Sequence, residues 1–140
     1  REAIRETAIA LEIGHRVHLP GFVADPAAVL GLFDLFALSS DSEQFPISVV
    51  EAMAAGLAVA APAVGDVAAM VAPENASFIV APGRDDTLAQ ALATLAADPA
   101  LRRRVGEANR VRARAEYDEA AMLAAYRTAY GAALGRDGFP

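Results

Sequence analysis

Two carboxylates are placed where chemistry is possible. Glu43 follows an apolar run in a polar stretch, and Glu51 lies inside the helical pattern that comes next. Pro46 stands between them and suits a first helical turn, where a missing N–H costs nothing. A helix starting there aims its free N–H groups outward and favours an anion such as a phosphate. Glu51 falls about five residues into that helix, roughly 7–8 Å along its axis. A ligand with its phosphate at the helix start can therefore offer hydroxyls to a carboxylate on either side. Carboxylates accept strongly from such diols, and a nucleotide-diphosphate sugar has that shape. The same spacing also fits two solvated charges, because short motifs often match by accident.

The elements that must position these residues follow from the apolar pattern. Residues 1–13 read as the end of a helix, with Ile4, Ala8 and Leu11 on one face and Gly14 as its stop. Residues 17–19 read as a short strand closed by Pro20 and Gly21. Asp25 suits an N-cap and Pro26 the first position of a helix through Val29, Leu30 and Phe33. The run 35–38, bounded by Ser39 and Ser40, has the pattern of a strand covered on both faces. The Pro46 helix runs through Val49, Val50 and Met53 to Gly56, and 57–61 reads as a second buried strand closed by Pro62. A short helix at 67–71 and a third strand at 78–80 follow. Helices at 87–97, 99 to about 115 and 118 to about 134 complete the chain. Short buried strands alternating with helices predict a parallel α/β sheet with helices on both faces. In such a sheet, ligands sit beyond the carboxyl ends of the strands, which is where Glu43 lies. With no repeat, low-complexity tract or linker, residues 1–140 read as one domain.

Composition narrows the function. The chain holds 35 Ala and 12 Arg, but no Lys, Cys or Trp. Without Cys there is no disulfide scaffold, thiolate metal site or cysteine nucleophile. His15 and His18, three residues apart in a loop, make a poor metal site. A net charge of −6 argues against a nucleic-acid binder. No apolar run is long enough to span a bilayer and the start is charged, so a soluble cytosolic chain is expected. Between Arg16 and Arg84 there is no cationic side chain, while seven acids fall in that window. Arg102, Arg103, Arg104, Arg110, Arg112 and Arg114 read as a solvated helix face. Met122, Tyr126 and Tyr130 recur at fourfold spacing, as a packing stripe does.

The stretch Ser42-Glu43-Gln44-Phe45-Pro46-Ile47-Ser48-Val49-Val50-Glu51-Ala52-Met53-Ala54-Ala55-Gly56 resembles a known signature. It is similar to that of retaining glycosyltransferases of the GT-B fold, of the glycosyltransferase group 1 (family 4) type. The flanks agree: His18-Leu19-Pro20-Gly21-Phe22-Val23, Asp34 to Ser40, Val64-Gly65-Asp66-Val67 and Ile79 to Asp85 each resemble a piece of the family. The resemblance implies a Rossmann-like sheet, the later part of the GT-B C-terminal domain without its first two strands. Residues 117–140 would be its closing helix, which in the family crosses back to the first domain, so the 122–130 stripe would here be partly uncovered.

By the same resemblance, Glu43 contacts the donor sugar near the reacting centre and Glu51 binds ribose hydroxyls. Gln44, Phe45, Pro46, Ile47 and Ser48 would line the sugar and diphosphate, Pro46 by shape alone since it has no N–H. Gly21, Phe22 and Val23 would lie at the nucleotide base. The implied partner is a nucleotide-diphosphate sugar donor, with no metal or other cofactor and no nucleic acid. The acceptor-binding N-terminal domain is missing from these residues, and any peripheral membrane association belongs to the full enzyme. Gln44 stands where the family commonly has Gly, and the family's basic clamps on the diphosphate are missing too. The alternative is a truncated or degenerate non-catalytic module that binds a nucleotide weakly, or another protein.

Overall fold

The computed structural model describes residues 1–135; residues 136–140 of the expected closing segment lie outside the described residues. Three parallel strands, β1 (Leu35–Ala37), β2 (Ala58–Pro62) and β3 (Ile79–Val80), form a sheet in that order. Among the described residues there are seven α-helices: α1 (Glu2–Ala10), α2 (Ala27–Leu30), α3 (Ile47–Ala54), α4 (Val67–Met70), α5 (Asp85–Ala97), α6 (Pro99–Glu116) and α7 (Glu119–Leu134).

Strand β2 divides the core. Its residues alternate between faces, as a strand's must. Val59 and Ala61 pack with Leu30, Val49, Met53, Val67 and Met70, under α2, α3 and α4. Ala58 and Ala60 pack with Phe78, Ala91, Leu95 and Val105, under α5 and α6. Helices thus cover both faces, as the sequence pattern predicts. Each fully buried Val, Leu or Met contributes about 1.5–3 kcal/mol of transfer free energy. Helix α6 reaches both clusters, with Val105 in one and Ala113 in the other. It passes so close to the start of β2 that a Cβ on Gly106 would overlap the Gly56 carbonyl.

Only the far half of β2 pairs with β3. Along the near half, two side chains take over the ladder. The Asn75 carbonyl oxygen accepts from Val59 N–H and its amide donates to Val59 O, both at 2.8 Å. Asn109 donates to Leu57 O at 2.9 Å and accepts from Ala72 N–H at 3.0 Å. The two amides also meet, Asn109 Nδ2 donating to Asn75 Oδ1 at 2.8 Å. Both residues are fully buried, and every polar group in the network has a partner.

The sequence reading needs correction in the first third. Residues 17–19 are not a strand: a 3₁₀ turn (Gly14–Arg16) leads into extended chain that has no ladder. Strands persist only by pairing, and no strand of the described sheet lies beside this segment. Helix α2 ends at Leu30 rather than running through Phe33, which is exposed. Strand β1 is not covered on both faces: Leu35 and Phe36 are half-buried and Ala37 is exposed. The cause is its position at the sheet edge, paired with β2 alone.

Candidate functional site

Glu43 lies in the loop between β1 and α3, and Glu51 is the fifth residue of α3. Both side chains are half-buried, and neither has a hydrogen-bond or ion-pair partner among the described residues. Between them, α3 opens at Pro46 in extended conformation (φ −72°, ψ 108°) with no side-chain cap. Val49 N–H already donates to Pro46 O at 3.0 Å. That leaves the Ile47 and Ser48 amides at the helix's open end, with the positive end of its dipole. Pro46 itself is buried and acts as a spacer, while Phe45 and Gln44 are exposed.

The loop is held by the turn that follows β2. Asp66 N–H donates to Gln44 O at 2.9 Å. Gly65, at φ +52°, lies flat against the Glu43 and Gln44 carbonyls, where a Cβ would overlap them. Gly65 is therefore required twice, for its left-handed backbone and for this approach. The sequence marked Gly65 as a turn but carried no sign that the turn lies under the Glu43 loop.

Charge in the crevice is sparse. Ser39, Ser40 and Asp41 after β1, Pro62 at the end of β2 with Val64 beyond it, and Val80 at the end of β3 with residues 81–85 beyond it line a hollow of about 60 Å³ at the strand ends. Arg84, the first cation after the Arg-free window, stands at its rim. Its guanidinium is engaged by Asp86, Nε to Oδ1 at 3.0 Å and Nη2 to Oδ2 at 2.9 Å. That hydrogen bonding, with help from the Thr87 amide, holds the Asp86 carboxyl down to about 2. The α3 start thus has helix amides and flanking carboxylates, with Arg84 committed elsewhere.

Other candidates lie apart. The Gly21 turn faces the Arg1 guanidinium and lines a hollow with Arg1, Leu19 and Pro20. Phe22 beside it is 94% exposed, and Val23 is half-buried. No hydrogen bond among the described residues joins this turn to the Glu43 loop. A larger hollow, about 610 Å³, opens between α1 and residues 17–20, away from both glutamates. Two arginines of α6, Arg102 and Arg112, are structural, while Arg103, Arg104 and Arg114 are exposed as a solvated face would be. Arg102 donates to Leu95 O and Ala96 O at 2.8 and 2.6 Å, capping the end of α5. Arg112 donates to Val71 O and Ala69 O at 2.8 and 2.9 Å, closing α4. Cations suit these carbonyl-rich helix ends.

The parallel sheet with helices on both faces matches the C-terminal domain of GT-B glycosyltransferases. The sequence matches the family model described as Glycosyl transferases group 1 over residues 1–112, and the chain belongs to that family. Sucrose-phosphate synthase (tll1590) from Thermosynechococcus elongatus is similar at 30% identity with a TM-score of 0.80, over 94% of this chain and 34% of that one. The chain thus spans about a third of that protein's length. The C-terminal domain of LpcC, a glycosyl transferase group 1 family protein from Francisella tularensis, shares the fold. Its TM-score is 0.74 at 21% identity, over 84% of this chain and 62% of that one. No curated protein matches the chain in sequence. No helix among the described residues is long and apolar enough to cross a membrane.

Proposed function

We propose that the chain is the donor-binding part of a retaining glycosyltransferase, acting on a nucleotide-diphosphate sugar. The observation that carries this reading is the uncapped start of α3 between two half-buried, partnerless carboxylates. The Ile47 and Ser48 amides hold the diphosphate, and Phe45 contributes its N–H on the sugar side. Glu43 orients the sugar at the reacting carbon, and Glu51 accepts from the ribose hydroxyls. The bond from the anomeric carbon to the phosphate oxygen breaks, an acceptor oxygen bonds to that carbon, and the acceptor proton leaves with the diphosphate. The nearby cation Arg84 is engaged by Asp86, so the helix amides carry the diphosphate's charge in this part of the site. Residues 1–140 then form one partial Rossmann-like domain, with Gly21, Phe22 and Val23 toward the nucleotide base once its sheet is complete.

A second reading is a non-catalytic module that binds nucleotide weakly or another protein. It is favoured by the side chain at Gln44, by the commitment of Arg84 to Asp86 and by the open edge of β1. Isothermal titration with UDP-glucose, GDP-mannose and ADP-glucose separates the two. The donor reading expects binding that Glu51→Ala weakens about tenfold, the loss of charge-assisted hydrogen bonds. Absence of binding at millimolar ligand leaves only the second reading.

A further inference from the structure

Phe45 sits between Glu43 and the first turn of α3, an exposed residue at 41% accessibility. Its contact is with Tyr117, at the joint between α6 and α7. The rings meet edge to face, centroids 5.7 Å apart and planes at 72°. Tyr117 is itself fixed on three sides. Its N–H donates to Ala113 O at 2.9 Å, its hydroxyl donates to Met70 O at 3.2 Å, and its ring packs against the cluster under α3 and α4. The turn after β2 holds the Glu43 and Gln44 carbonyls, but Phe45, followed by a Pro46 with no N–H to offer, is anchored through its ring.

We propose that Tyr117 is a positioning residue for donor binding. Its edge-to-face contact fixes Phe45, and through Phe45 it fixes Glu43 and the amides at the start of α3. This rests on the donor-site reading above, since Tyr117 reaches the ligand only through the loop. The joint between α6 and α7 thereby sets donor affinity from behind the site. An aromatic pair of this geometry is strong enough to shift a loop's open population by about two- to tenfold.

The test compares Tyr117→Leu, Tyr117→Phe, Phe45→Leu and the double variant Tyr117→Leu/Phe45→Leu in the full chain. A control, Leu95→Ala, loosens the opposite face of the sheet. Two readouts are taken: amide hydrogen exchange by NMR, and affinity for UDP-glucose, GDP-mannose and ADP-glucose. The expected result is faster exchange at the Asp66 amide, which donates to Gln44 O, in both leucine variants, by about three- to tenfold, with β2 amides unmoved. Affinity for whichever sugar nucleotide binds falls by a similar factor. The double variant adds nothing to either single one, because both remove the same contact. Tyr117→Phe keeps the ring and stays within about twofold of the parent, and Leu95→Ala lowers stability without moving loop exchange or affinity. Unchanged loop exchange in the leucine variants overturns the proposal. So does equal acceleration in β2, or a Tyr117→Phe loss as large as that of Tyr117→Leu. Should Tyr117→Leu not fold, Phe45→Leu probes the same contact from the exposed side. Should the parent bind no sugar nucleotide, the donor reading fails, and loop exchange alone decides whether Tyr117 holds the loop.

Discussion

Strands β1 and β2 have similar apolar sequences and opposite fates. Every residue of β2 is buried, with helices on both faces and partners along both edges. Strand β1 has one partner and an exposed end. The contrast widens on either side. Residues 57–61 are all buried, whereas in residues 1–33 only Ala8 and Leu30 are, and Ile4, Ile9, Leu11, Phe22, Leu32 and Phe33 face solvent. Hydrophobicity alone did not decide which segments entered the core; the availability of a completed ladder did. A strand buried on one edge by asparagine side chains is as well satisfied as one paired with backbone, and an apolar segment without either stays outside.

Stability measurements can break that contrast. Leu95→Ala, in the core beneath β2, should lose about 3 kcal/mol in urea unfolding. Ile9→Ala, on the exposed face of α1, should stay within about 0.5 kcal/mol of the parent. Similar losses at the two sites would mean that the first third is as well packed as the rest. Asn109→Leu should come next, at about 2 kcal/mol, because Leu57 O and Ala72 N–H are left buried without a partner. A neutral result would show that the asparagines do not substitute for a strand. The smallest effect concerns Arg84 and Asp86 at the crevice rim. The Asp86 carboxyl is lowered to about 2, so the pair is intact above the ordinary carboxylate range and is lost as pH falls through about 2. Carboxyl-carbon NMR should give that midpoint, and Arg84→Ala should raise it toward the ordinary range, with the Thr87 amide still lowering it.

Much of this was legible in the sequence. Pro, Gly and Asp punctuate the chain, so α3, β2, α5 and α6 fall within about two residues of their expected bounds. At the start of α2, Pro26 rather than Asp25 is the N-cap and the helix begins at Ala27, although the Asp25 carboxylate does accept from Ala28 N–H at 3.3 Å. The segment 17–19 misled because its local pattern is that of a strand, and a pattern cannot report whether a neighbour exists. Asn75 and Asn109 were not legible as a pair: each looks polar and unremarkable until the fold brings them together. The same holds for Gly106 in an arginine-rich helix, and for Tyr117 against Phe45. Glu43 and Glu51 could be read because their partner is a helix start only a few residues away. Gly65, packed against the Glu43 and Gln44 carbonyls, and Tyr117, packed against Phe45, come from later in the chain and carry no local mark. The apolar positions Met122 and Tyr126 of α7, which the sequence pattern reads as a packing stripe, are exposed.

The central claim is that the start of α3, flanked by Glu43 and Glu51, receives a nucleotide-diphosphate sugar. An amide NMR titration with UDP-glucose, GDP-mannose and ADP-glucose tests it most directly. The account predicts that the Ile47 and Ser48 amides move furthest with at least one of them, and that Glu51→Ala reduces the response. Shifts centred on the hollow between α1 and residues 17–20, or no shifts at millimolar ligand, would contradict it.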